Sequence, residues 1–168
     1  MKRLIFFAIA AAIVAASCTV SYKFNGASID YSKVRSIAVI DFTNQATLVN
    51  PSLVNNFNDA LKDAYNKQTR LEQVRRNGDL QVEGEITTYA ITPLSIGADA
   101  YASENRLTIG VRVRFANNTN PDEDFERTFS ANRTFASTST LEEVQDQLCE
   151  EMIEELVDQI FNATVANW

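Results

Sequence analysis

The chain has 168 residues, 15 Lys and Arg against 22 Asp and Glu, a formal net charge of −7, two cysteines and no histidine. The missing histidine excludes Ser-His-Asp and Cys-His catalysis, imidazole acid–base chemistry and histidine metal ligands together. The acidic balance excludes attraction to nucleic acid or to a bare anionic bilayer through net charge, so an anionic ligand would need a local basic patch.

Met1 to Cys18 (MKRLIFFAIAAAIVAASC) has the layout of a secretory signal. Lys2 and Arg3 form a positive start, Leu4 to Val14 is an almost unbroken apolar run, and Ala15-Ala16-Ser17 places small residues before a cysteine. The run is shorter than the roughly 20 residues that span a bilayer as a helix. A cysteine directly after the small residues points to the lipoprotein variety, in which residues 1–17 are removed and Cys18 carries a diacylglycerol thioether and an acylated amino terminus. The competing readings are an ordinary cleaved signal with an incidental Cys18, or a short membrane anchor.

Without Lys2 and Arg3, 13 basic residues face 22 acidic ones, a net charge of −9. About 150 residues remain, enough for one domain with a real core. If Cys18 is acylated, Cys149 has no disulfide partner, and a single thiol is too little for a zinc site. Thr19, rather than aspartate, follows the cysteine, and no acidic run comes after it. The outer membrane, periplasmic face, is therefore the expected destination, with the acyl chains as sole anchor. The expected division is a signal over 1–17, a lipidated tether over 18–33 and one domain over 34–168.

Val34 to Phe42 (VRSIAVIDF) reads as a buried strand from its β-branched, apolar run. Thr43 to Asn50 reads as a loop. Asn50 as N-cap and Pro51 at the first helical position predict a helix. Its apolar stripe is Leu53, Val54, Phe57, Ala60, Leu61, Ala64 and Tyr65, and it ends near Gln68. Asn55, Asn58, Asp59, Lys62, Asp63 and Asn66 fall on the predicted solvated face. Leu71 to Val74 is a short candidate strand, and Asn77-Gly78 is a turn signal. Leu80, Val82, Gly84, Ile86 and Thr88 then alternate with polar residues along a strand towards Pro93. Gly97 to Ser103 connects to the next strand.

Asn105 to Asn117 gives the cleanest alternation, with Leu107, Ile109, Val111, Val113 and Phe115 on one face and Thr108, Gly110, Arg112 and Arg114 on the other. Asn117 to Glu123 is turn chemistry. Asp124 to Phe135 returns as a partner strand, where Arg127 and Arg133 share the parity of Phe125, Phe129 and Phe135. Either a bulge intervenes or that face is amphipathic. Thr140 and Glu143 form a capping box for a last helix. Its apolar side runs from Leu141 to Phe161, and Glu142, Glu143, Glu150, Glu151, Glu154, Glu155 and Asp158 line its outside.

Together these elements predict an α+β fold. It is a two-layer sandwich with both helices on one face of a mixed sheet of four strands, five if Leu71 to Val74 joins. The other sheet face is polar.

Candidate chemistry is sparse. The acidic helix reads as a solvated face sooner than a cation site, and Cys149 as a small buried thiol sooner than a redox centre. Glu83 and Glu85 lie about 7 Å apart on one strand face, a separation that glycosidase carboxylates also show, yet no sugar-binding aromatics accompany them. Arg112 and Arg114, at i and i+2, project side by side and could take a phosphate or carboxylate, or pair across strands with Glu83, Glu85 or Glu126. No metal and no cofactor is expected, and the chain does not read as an enzyme.

The strings SYKFNGASIDYSKVRSIAVIDF, LVNPSLVNNFNDALKDAYNKQTRL, RRNGDLQVEGEITTYAITP, NRLTIGVRVRFANNTNPDEDFERTFSA and IFNATVANW, in this order after Cys18, resemble a divergent form of the lipopolysaccharide-assembly lipoprotein family LptE. The resemblance spans essentially the whole mature chain. It implies two helices on a four-stranded sheet and an outer-membrane lipoprotein that plugs the β-barrel translocon LptD and assists its assembly. It also implies help in delivering lipopolysaccharide to the outer leaflet, with basic residues in contact with that ligand. Arg112 and Arg114 are the candidates for such a contact by local geometry. The other reading is a periplasmic scaffold or binding lipoprotein of another secretion or envelope complex.

Overall fold

The computed structural model describes residues 29–94 and 104–166. The signal segment, Cys18 and the Gly97 to Ser103 connection lie outside the described residues. In chain order the elements are β1 (Ser36–Val39), β2 (Thr43–Asn44), α1 (Leu53–Gln68), β3 (Glu72–Gln73), β4 (Leu80–Leu94), β5 (Glu104–Asn117), β6 (Phe125–Ala136) and α2 (Leu141–Phe161), which runs into a π-helical turn at Asn162–Ala166.

The strands form one mixed sheet in the order β3-β1-β4-β5-β6, with β2 also paired to β4. β1 is parallel to β3 and β4, and β2 is parallel to β4. β4, β5 and β6 form an antiparallel meander. The short Leu71 to Val74 strand is thus realised as β3, at the sheet edge. Both helices pack on one face, and their stripes share a core with Leu80, Val82, Ile86 and the inward residues of β5. All five of those β5 residues, Leu107 to Phe115, are at most 1% exposed.

The first strand differs from its expected form. It stops at Val39 and resumes two positions beyond Asp41 as β2. Between the two pieces Phe42 turns into the core. Its ring lies where a side chain on Gly84 would be: a Cβ there would meet Phe42 Cε1 at 2.5 Å and the Arg112 carbonyl oxygen at 2.1 Å. The Phe42 ring also meets Phe57 of α1 edge-on, with centroids 5.1 Å apart. This diversion takes the Phe42 backbone out of the ladder, and buried backbone groups need partners. Asn58 of α1 supplies both. Its Oδ1 accepts from the Phe42 N–H at 2.8 Å and its Nδ2 donates to the Phe42 carbonyl at 3.2 Å. Asn58 is therefore buried, and its expected place on the solvated face is corrected: the broken strand draws it inward.

Helix α1 also starts later than expected. Asn50 does not cap it; Asn50 Oδ1 accepts from the N–H and hydroxyl of Ser52, an Asx turn, and Ser52 is the N-cap of a helix that begins at Leu53. In β4 a bulge between Ile86 and Thr88 shifts the alternation, so Tyr89 rather than Thr88 faces the core opposite Ile109. The β5–β6 register runs without a shift from Phe115↔Phe125 to Glu104↔Ala136, so the face holding Arg127 and Arg133 is amphipathic and not bulged. α2 begins with the expected capping box, the Glu143 carboxylate accepting from the Thr140 N–H at 3.0 Å.

The base of the sheet is tied by Asp79, whose carboxylate accepts from the backbone N–H groups of Arg35 and Ser36 at 2.8 and 3.0 Å. These bonds hold its carboxyl below the usual carboxylate range. From β3 the chain returns to β4 by passing across β1. There Gly78 touches the backbone, a Cβ meeting the Ala38 nitrogen at 2.6 Å, and Asn77 takes a positive φ of 56° to make the turn.

Candidate functional site

The sheet face away from the helices is polar, as the alternation of β4 and β5 requires. Register sets Glu83 opposite Arg114 and Glu85 opposite Arg112. Arg112 Nη1 lies 3.0 Å from Glu85 Oε1, and Arg114 Nη1 lies 3.2 Å from Glu83 Oε1. Glu126 on β6 approaches Arg114 Nε at 3.9 Å. With Ile40, Asp41 and Gly84 these residues line a shallow cavity of about 330 Å³. Both arginine side chains stay more than half exposed. Of five N–H donors on each guanidinium, only one or two face a carboxylate here, so the outer edges of both groups remain open to an acceptor from solution. Exposed ion pairs of this kind contribute up to about 1 kcal/mol each. They keep the two side chains upright on the strand.

The Glu83–Glu85 pair is thus taken up by the arginines. The acidic side of α2 is partly engaged as well. Arg133, which faces the helices from β6, lies 3.1 Å through Nε from Glu151 and 2.7 Å through Nη1 from Glu155. Arg127 lies over the rings of Phe125 and Phe129, 5.3 and 6.0 Å from their centroids. Arg133 thus joins α2 to the edge of the sheet, while Arg127 covers rings of its own strand; the sequence hinted at either role only through their parity with the phenylalanines.

Cys149 is buried, with its sulfur 3.9 Å from the Tyr89 hydroxyl and 3.7 Å from Asn50 Nδ2. Burial pushes the thiol up and Tyr89 up to about 12, which leaves the sulfur protonated and a poor nucleophile at neutral pH. Among the described residues no group of three or more Cys, Asp or Glu side chains is placed to hold a metal ion. No helix among them is long and apolar enough to cross a membrane. Cys18 lies outside the described residues.

Solved structures with a similar fold include a homolog of neuraminyllactose-binding hemagglutinin from Helicobacter pylori, at 9% identity and a TM-score of 0.53, covering 84% of this chain and 88% of that one. Rare lipoprotein B from Shewanella oneidensis is similar at 11% identity and a TM-score of 0.50, covering 74% and 92%. A minor lipoprotein from Acinetobacter baumannii reaches 15% identity and a TM-score of 0.47, over 74% and 89%. No curated protein matches the chain in sequence. Residues 34–164 match the family LptE, described as lipopolysaccharide-assembly, which takes in both helices, every strand and the polar sheet face. The chain belongs to the LptE family of lipopolysaccharide-assembly proteins.

Proposed function

We propose that this protein is held by acylated Cys18 on the periplasmic face of the outer membrane, where it plugs the β-barrel LptD, assists its assembly and helps deliver lipopolysaccharide to the outer leaflet. The family match over residues 34–164 carries this reading. The sheet face supports it physically. Barrel interiors are polar, and a face on which Arg112 and Arg114 are each paired with a glutamate of the neighbouring strand suits such a lumen. The role needs no active site.

The test is purification of the full chain from membranes under mild detergent, followed by mass spectrometry. A stable complex with a large outer-membrane barrel, and acyl mass on the amino-terminal peptide beginning at Cys18, is the expected result. A chain that runs alone without a barrel overturns the plug, and Cys18→Ser remaining membrane-bound overturns the anchor.

Arg112 and Arg114 are the proposed contact with lipopolysaccharide, through the donors that their glutamate partners leave open. The double variant Arg112→Glu, Arg114→Glu should weaken lipopolysaccharide binding by about tenfold or more, two charge-assisted hydrogen bonds being lost, with the circular dichroism spectrum unchanged. Equal binding by variant and parent ends that assignment.

A further inference from the structure

An open strand edge is a template for pairing with another chain, and folded proteins blunt such edges by keeping them short or by charging them. Most of this sheet follows the rule. β2 and β3 are two residues each, and β6 carries Glu126, Arg127 and Arg133 along its length. The C-terminal half of β4 does not. β1 pairs with Leu80 to Val82 and β2 with Glu85 and Ile86, and the Gln45 N–H donates to the Ile86 carbonyl at 2.8 Å. Beyond that point, from Thr88 to Thr92, β4 pairs with β5 alone. Among the described residues no backbone group bonds to its other side. Pro93 has no N–H, so the edge that a further strand can join ends at Thr92.

The side chains around this edge are uncharged, and several are apolar. Tyr89 is covered by α2, its hydroxyl donating to Gln145 Oε1 at 3.4 Å. Ile91, two residues on and on the same face, is left 37% exposed. The loop between Gln45 and Asn50 runs alongside, with Asn50 held near Cys149 and Tyr89, and its Leu48 and Val49 are 41% and 66% exposed. These three are the exposed large hydrophobic side chains among the described residues. Neither Phe42 to Asn58 nor Ile86 to Leu94 contains a charged residue, in a chain where 22% of residues are charged.

From this arrangement we infer that Thr88–Thr92 is a docking edge for an extended, uncharged polypeptide segment of a partner protein, added to the sheet as one more strand. The backbone of that segment pairs with the free N–H and C=O groups of β4. Its side chains alternate: apolar ones on the helix side cover Ile91, Leu48 and Val49, and small polar ones lie beside Thr88 and Thr92. A charged side chain on the helix side would be desolvated without an opposite charge to meet it, which selects for a neutral segment. The edge is distinct from the Arg112–Arg114 cavity, and the inference does not rest on the barrel partnership.

The test uses the full chain in mild detergent. The probe is a capped peptide of alternating threonine and valine, about eight residues long, read by fluorescence anisotropy and by amide hydrogen exchange. Saturable binding is expected, with exchange slowed at alternate amides of Thr88–Thr92. Val49→Lys with Ile91→Lys should weaken binding by about tenfold or more, because apolar contact is lost and charge is placed at the edge. The same peptide N-methylated throughout should also bind about tenfold or more weaker, since it has no donors for a ladder. Arg112→Gln with Arg114→Gln should leave binding unchanged. Equal binding of the methylated peptide, equal binding by the lysine variant, slowing along β6 instead of β4, or no binding by the parent overturns the inference. A parent that sediments as a dimer, and as a monomer in the Val49→Lys, Ile91→Lys variant, overturns it in favour of a second copy of this chain. Slowing of the same amides by phosphatidylcholine vesicles without peptide overturns it in favour of lipid.

Discussion

Asn58 exchanges two hydrogen bonds with the backbone of Phe42, so replacing it strands two buried polar groups at once. Asn58→Leu should lower stability by about 2–4 kcal/mol, read from the midpoint of urea unfolding; a loss under about 0.5 kcal/mol would mean that Phe42 finds other partners. Polarity misled the sequence reading here. By spacing alone, position 58 belongs with Val54, Leu61 and Tyr65, four, three and seven residues away, and only the amide side chain argued for solvent. Asp79 gives a pH prediction. Its folded carboxyl sits below its unfolded value because backbone N–H groups favour the charged form. Its stabilising effect is complete above the ordinary carboxylate value of about 4 and fades as pH falls through the lower folded value. Urea unfolding between about pH 2 and 6 should therefore show a shallower acid loss for Asp79→Asn than for the parent. Identical slopes would contradict the bonding at Arg35 and Ser36. The buried Cys149 thiol should react with a maleimide only on the timescale of unfolding, and rapid labelling of the native chain would place it at the surface.

At the scale of elements, what could be read from the sequence depended on whether two faces differed. β5 was legible to the residue because one side is wholly apolar and the other carries Thr108, Arg112 and Arg114. α2 was legible from its capping box and stripe, and Thr140→Ala should remove about 1 kcal/mol, again measurable by urea. β2 was not legible, since two polar residues carry no period. The bulge in β4 was hidden because Thr87 and Thr88 are chemically alike, and nothing local says which is extruded. The start of α1 was misplaced because an Asx turn and an N-cap use the same residue type. The candidate site divides in the same way. Register made the pairing of Arg112 and Arg114 with glutamates foreseeable as one option, whereas the contact of Cys149 with Tyr89 depends on the bulge that turns Tyr89 inward. Arg133 tests the join between α2 and the sheet edge. Its partners are partly exposed, which limits each pair to about 1 kcal/mol, and a double-mutant cycle of Arg133→Gln with Glu155→Gln should return a coupling of that order. No coupling would make the contact incidental.

For the whole molecule, acidity is distributed and not uniform. α2 carries eight acidic residues and no basic one, α1 balances two with two, the exposed sheet face pairs Arg112 and Arg114 with glutamates, and exposed Arg75 and Arg76 leave the β3 edge locally cationic. The two helices meet at their ends through the Tyr65 hydroxyl, which lies 2.6 Å from Thr164 Oγ1 while that hydroxyl donates to the Ile160 carbonyl at 2.9 Å. Burial pushes the Tyr65 hydroxyl well above its ordinary range, so it stays protonated at any physiological pH. Thr164→Val leaves it buried without a partner and should lower stability by about 1–3 kcal/mol. Tyr65 and Thr164 are 99 positions apart, and this distance bears on the order of assembly. Every strand of the sheet, the neighbouring β4, β5 and β6 as well as β1 with its partners β3 and β4, precedes α2 in the chain, so the inner face has only α1 to cover it until α2 arrives. A nascent chain ending before about residue 141 would present Phe129, Ala131 and Phe135 without the helix that packs over them. The last helix thus sets the moment at which the inner face of the sheet is closed.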